Sequence, residues 1–136
     1  MSLNRRAFTQ TIAAVGVTAA APALVAATPA LAAPATIEVT MKNNPKAIFV
    51  PATVNCKVGD TVTWTNPGVI THSVTCDPAQ AVDKANAVLP AGVAPFDSNN
   101  MEQDATYSHT FTVKGTYKYF CKLHEAMGMV GTVVVS

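Results

Sequence analysis

From residue 36 onward, apolar side chains recur mostly at every second position, the period of a half-buried strand. Ile37, Val39 and Met41 alternate with Glu38 and Thr40, and Val54, Cys56 and Val58 with Asn55 and Lys57. Gly59-Asp60 turns the chain, Val62 and Trp64 alternate with Thr61, Thr63 and Thr65, and Asn66-Pro67-Gly68 is a second turn. His72, Val74 and Cys76 form one face of a further strand, and the pattern returns over Tyr107–Val113 and, after Lys114-Gly115, over Thr116–Phe120. Val130–Val135 is a β-branched run suited to a strand buried on both sides or at a sheet centre. One stretch departs from this period. Asp77 before Pro78 is a helix N-cap followed by proline at the first helical position, and Pro90-Ala91-Gly92 is a stop, which predicts a short helix around 78–88. Seven or eight short strands in about 100 residues predict an all-β fold, a two-sheet Greek-key β-sandwich carrying that one helix.

The first 33 residues follow another rule. Both arginines of the chain, Arg5 and Arg6, stand together, a long uncharged stretch rich in alanine follows, and it closes on Ala30-Leu31-Ala32. A charged start, an apolar middle and a small-x-small end form the pattern of a cleaved secretory signal. Asn4-Arg5-Arg6-Ala7-Phe8 resembles the twin-arginine export motif, so residues 1–32 are expected to be an export signal and 33–136 a single exported, periplasmic domain. Alanine and threonine are weakly apolar, and Pro22 and Pro29 interrupt the run, which argues against a retained membrane anchor.

Composition changes meaning once the chain is divided. The whole sequence has 136 residues, 49% hydrophobic and 12% charged, with a net charge of +1. Beyond the arginine pair, seven lysines face eight acids, which leaves one net negative charge. No basic stripe offers itself to nucleic acid.

The chemistry is concentrated in Cys121-Lys122-Leu123-His124-Glu125-Ala126-Met127-Gly128-Met129, between two predicted strands, with His72 on an earlier strand. A soft thiolate, two imidazoles and a weakly bound thioether are the donors that suit copper in electron transfer. Cys121 ends a strand, the chain turns, and His124 and a methionine can point back at a common centre to which the sandwich brings His72. Only His72 and His124 are available as paired imidazoles, fewer than a copper enzyme with further histidine ligands needs.

These features resemble the type I blue copper proteins, the cupredoxins, most closely their plastocyanin and pseudoazurin branch. The resemblance is carried by Gly59-Asp60-x-Val62-x-Trp64-x-Asn66, His72-Ser73-Val74, Phe96-Asp97-Ser98, and Gly115-Thr116-Tyr117 leading to Cys121-x2-His124-x4-Met129. It implies one type I copper ion held by His72, Cys121, His124 and Met129. Met129, five residues after His124, has the spacing of the plastocyanin and pseudoazurin branches, whereas Met127, three after, has that of amicyanin. Met129 is therefore the expected axial ligand and Met127 a rim residue. The resemblance further implies a monomeric electron carrier cycling Cu(II)/Cu(I). It would dock redox partner proteins through an apolar face around His124, ringed by Pro67, Val69, Ile70, Ala126 and Met127. The competing reading is copper transport or storage, which Met41, Met101, Met127 and Met129 would permit.

Export would put Cys56 and Cys76 in an oxidising compartment, and their shared inward parity makes a disulfide the expectation, with two free core thiols as the alternative. Closing that loop of roughly 20 residues would stabilise the domain by about 3 kcal/mol. His109 is expected to be a surface or half-buried histidine without a metal role, and Glu125 to be solvated.

Overall fold

The computed structural model describes Gly16 and residues 19–136. The twin-arginine-like stretch at 4–10 lies outside the described residues. The chain divides into two units, Met1–Leu31 and Ala32–Ser136, and the described residues of the first carry no strand or helix. Among the described residues no helix is long and apolar enough to cross a membrane.

The second unit contains nine strands: β1 (Thr36–Lys42), β2 (Ile48–Val50), β3 (Thr53–Cys56), β4 (Thr61–Thr65), β5 (Thr75–Cys76), β6 (Phe96–Asp97), β7 (Thr106–Thr110), β8 (Gly115–Phe120) and β9 (Val130–Val135). They form two mixed sheets, ordered β2-β1-β4-β7 and β3-β9-β8-β5-β6. The pairs β1·β4 and β3·β9 are parallel and the others antiparallel.

Alternation decides which face is inward. Val39, Met41, Val62 and Trp64 of the first sheet bury against Val54, Cys56, Tyr117, Tyr119, Val133 and Val135 of the second. On the outer face of the first sheet, Thr61 and Thr63 pair across to Thr110 and Ser108 through hydroxyl–hydroxyl bonds of 2.7 and 2.8 Å. Tyr119 meets Trp64 and Phe49 edge-on at ring separations of 5.3 and 4.7 Å, favourable geometry for aromatic quadrupoles. Gly131, its partner on β9, has to be glycine because a Cβ there would run into the Tyr119 ring. The β9 run is central, between β3 and β8, yet its side chains alternate buried and half-buried.

Three sequence expectations are corrected. The helix around 78–88 does not form; its place is taken by a turn and one short 3-10 segment, Lys84–Asn86. The amides a helix would use are bonded elsewhere. Ala79 N–H donates to the Asp77 carboxylate, Val82 and Asp83 N–H donate to the Glu125 carboxylate, and Val88 exchanges both backbone bonds with Lys118. The Cys56–Cys76 disulfide is absent as well: both thiols are free and buried. Their strands, β3 and β5, lie three steps apart in one sheet, about 14 Å at the usual strand spacing. A disulfide needs Cα atoms within about 7 Å. Shared parity put both cysteines inside, but parity says nothing about strand order. Thirdly, His72 is not continuous with Cys76 in a strand; it makes an isolated bridge to Met101, and β5 is only two residues long.

Candidate metal centre

Cys121 follows directly on β8, and the chain then winds tightly back. His124 N–H donates to Cys121 C=O, Met127 N–H to His124 C=O, Gly128 N–H to Glu125 C=O and Met129 N–H to His124 C=O. Gly128 takes a left-handed φ of 80°, which a side chain disfavours, to close the short 3-10 turn Glu125–Met127. Cys121 N–H then donates to Met129 C=O, so the first and last residues of the turn are clasped. The opposite wall is fixed separately. His72 and Met101 exchange both backbone bonds, at 3.1 and 2.7 Å.

These two supports bring together the donor atoms of His72, Cys121 and His124, all within 4.8 Å of one another. Cys121 Sγ lies 3.7 Å from His72 Nδ1 and 3.4 Å from His124 Nδ1, and the two imidazole centroids are 4.8 Å apart. Cys121 and His72 are fully buried and His124 is half-buried, so the site reaches the surface through one ring. Met129 is wholly buried, whereas Met127 is 62% exposed.

Burial, and secondarily the neighbouring His124, push the His72 imidazole down to about 4. Its ring is therefore neutral, with a lone pair free to ligate, at any pH near neutrality. The nitrogen facing the thiol is Nδ1, and Nε2 is buried without a hydrogen-bond partner. A wholly buried neutral imidazole aimed at a buried thiol and a second imidazole fits a soft-to-borderline metal such as copper better than a purely structural role.

Residues with no supporting role legible in the sequence hold the donors in place. Ser73 N–H points at Cys121 Sγ from 3.3 Å, and Lys122 N–H donates to Ser73 Oγ at 2.8 Å, so the residues following His72 and Cys121 hold each other. Asn66, fully buried, accepts from Gly68 N–H and donates through Nδ2 to the Ile70 and Met101 carbonyls, bracing the segment that leads into His72. Asn-Pro-Gly announces a turn but not that its asparagine faces inward. Glu125 corrects the expectation of a solvated side chain. It is buried and accepts from Val82 N–H, Asp83 N–H and Asn86 Nδ2 at 2.9, 3.0 and 3.0 Å. Burial raises its carboxyl, but those three donors outweigh it and hold the group below its ordinary range. His109 stands apart from the centre, half-buried and stacked on Phe96 at 4.0 Å.

Comparison with known proteins agrees with this geometry. Residues 35–136 match the family model for copper binding proteins of the plastocyanin/azurin family. The chain is 35% identical over 101 residues to plastocyanin of Scenedesmus fuscus, spanning 72% of this chain and 99% of that one. To the chloroplastic plastocyanin of Tetradesmus obliquus it is 38% identical over 88 residues, spanning 65% of this chain and 58% of that protein. Among solved structures, an oxidised amicyanin variant superposes with a TM-score of 0.57 at 33% identity, over 74% of this chain and 81% of that one. A reduced Cu(I) form of another amicyanin variant gives 0.57 and 33% over 74% and 82%.

Proposed function

The chain belongs to the plastocyanin/azurin family of copper-binding proteins, and from that premise we propose that it is an exported, monomeric one-electron carrier using a single type I copper ion. The observation that carries this reading is the convergence of a buried thiol and two imidazoles, His72, Cys121 and His124, within 4.8 Å. When bound, copper supplies one-electron exchange between Cu(II) and Cu(I), with no bond made or broken on a substrate. His72, Cys121 and His124 would hold it, with Met129 as the weak fourth donor. The burial of Met129 against the exposure of Met127 supports that choice. Two backbone-clasped walls keep the donors from rearranging, and the buried Cys121 and Met129 keep water from the inner side.

His124 is the half-buried donor and thus the proposed point of electron entry and exit. Val69, Ile70, Leu123 and Met127, between 44% and 75% exposed, lie on the two segments that carry His72 and His124. An apolar rim of this kind suits the small, weakly held interface of a transient redox complex. Export through a twin-arginine-like signal, cleavage near Ala32 and a periplasmic location belong to the same proposal and rest on the sequence of residues 1–33. The methionines favour a carrier over a storage protein. Met41, Met101 and Met129 are core residues, which leaves Met127 as the exposed thioether among the four that raised that alternative.

The test is the visible spectrum of the Cu(II)-loaded protein. An intense thiolate-to-copper charge-transfer band, with one copper per chain, is the expected result. Stoichiometric Cu(II) without that band would reject the assignment.

A further inference from the structure

Phe96-Asp97-Ser98 stands out in the sequence without a role, and the structure places Asp97 at the end of a chain of hydrogen bonds that starts beside Cys121. Lys122 N–H donates to Ser73 Oγ at 2.8 Å, Ser73 Oγ lies 3.1 Å from Thr75 Oγ1, and Thr75 Oγ1 donates to Asp97 Oδ1 at 3.0 Å. Asp97 Oδ2 in turn takes the Lys122 ammonium at 2.6 Å, so the path leaves from the backbone of Lys122 and returns to its side chain. Ser73 and Thr75 are fully buried.

The direction of each proton follows from the end of the chain. An ionised carboxylate can only accept, so the single hydroxyl proton of Thr75 is committed to Asp97. Thr75 Oγ1 can then only accept from Ser73, whose proton is committed in turn. The lone pairs of Ser73 Oγ are left to receive Lys122 N–H. Each bond polarises the next, so the last acceptor is stronger than an isolated serine hydroxyl. What it fixes is the peptide between Cys121 and Lys122, while Ser73 N–H is aimed at the Cys121 sulfur.

We propose that Thr75 and Asp97 are positioning residues for the metal centre, setting through Ser73 and Lys122 the orientation of the Cys121 sulfur and the strength of its hydrogen bond. This rests on the copper reading above. Neither residue is a proposed ligand. A donor to the thiolate favours the reduced state, in which the sulfur carries more charge, so loosening this chain lowers the reduction potential.

The test compares Thr75→Val with Thr75→Ser. Valine keeps the shape and removes the relay, leaving the buried Ser73 hydroxyl without its acceptor. Expected are a shifted charge-transfer band, a lower reduction potential, and Lys122 amide exchange faster by about five- to tenfold, the loss of one modest hydrogen bond. Exchange is measured by NMR in both the Cu(I) and metal-free proteins. Thr75→Ser restores all three. A Thr75→Val protein that melts earlier but keeps the wild-type band, potential and Lys122 exchange overturns the proposal, because its role is then only structural. Should Thr75→Val fail to fold, Asp97→Ala, at the solvent end of the chain, is expected to shift the band and quicken Lys122 exchange in the same way, and an unchanged band and exchange overturn the proposal. A wild-type protein that binds Cu(II) without colour rejects the copper reading instead, and Lys122 exchange in the metal-free proteins still decides the positioning role.

Discussion

The turn Cys121–Met129 and the crossing 77–95 both join strands of the five-stranded sheet, and they are held in different ways. The turn closes on itself through its own backbone, from the His124–Cys121 bond to the clasp between Cys121 and Met129. The crossing is a series of short turns, closed at Asp77–Gln80, Asp83–Ala87 and Pro90–Val93, and it is tied to its surroundings by a bridge at Val88 and by amides bonded to a carboxylate that belongs to the turn. Glu125 and Lys122 are the two side chains that the turn sends out, the first to Val82, Asp83 and Asn86, the second to Asp97 and Gln80. The turn carries the candidate metal donors, and the crossing is packed against it. The turn's own bonds run from one end to the other, with Ser73 bracing it from outside, whereas the crossing's short turns are anchored through the turn's Glu125.

Removing the chemistry of the turn gives the largest effect. Cys121→Ser is expected to abolish the visible band entirely and to weaken copper binding, while the fold survives as judged by far-ultraviolet circular dichroism. A retained band would mean that another sulfur is the donor. Next comes the thioether. Met129→Leu is expected to change both spectrum and reduction potential, and Met127→Leu to leave them close to wild type; the reverse pattern would move the fourth donor to the exposed methionine.

The dependence of the crossing on the turn is tested by Glu125→Ala. It removes acceptors from three donors, and a loss of about 1–3 kcal/mol in urea denaturation is expected. Amide exchange should quicken at Val82 and Asp83 more than at His124. Uniform quickening across the turn would show that the two segments stabilise each other equally.

Legibility in the sequence follows the same division. The alternation over β1, β4, β7 and β8 was readable because each strand buries or half-buries one face, and side-chain period then reports burial directly. That Cys121 and His124 come together was readable because such donor side chains are chemically rare and here close in sequence. Two short strands, β2 and β6, escaped notice because two or three residues cannot display a period. The helix expected at 78–88 failed for a different reason: Asp77-Pro78 does start a turn, but Glu125, more than 40 positions away, claims the next amides. Strand order defeated the cysteine pairing in the same way. Local pattern identified which residues are inside; it could not say which inside residues are neighbours.

Two smaller effects probe the rest of the scaffold. Asp60 accepts from Ala35 and Lys57 N–H, both at 2.8 Å, and these bonds hold its carboxyl below the ordinary value of 3.8. Its folded state therefore prefers the charged form more than the unfolded chain does. Its contribution is complete above that ordinary value and is lost as the pH falls through the lower folded one. The denaturation midpoint should fall in that acid range, and Asp60→Asn should flatten this part of the profile while lowering stability at neutral pH. The smallest effect is a null one. With Cys56 and Cys76 both reduced, dithiothreitol is expected to leave the melting temperature of the metal-free protein unchanged, and the denatured chain should titrate three thiols. A drop in melting temperature on reduction would restore the disulfide.

Whether this copper-binding chain carries electrons or stores metal is decided by voltammetry of the copper-loaded protein. A reversible one-electron wave is expected with one copper per chain, unchanged over repeated cycles and absent from Cys121→Ser. Copper that is bound but gives no reversible wave, or that leaves the protein on reduction, would contradict it.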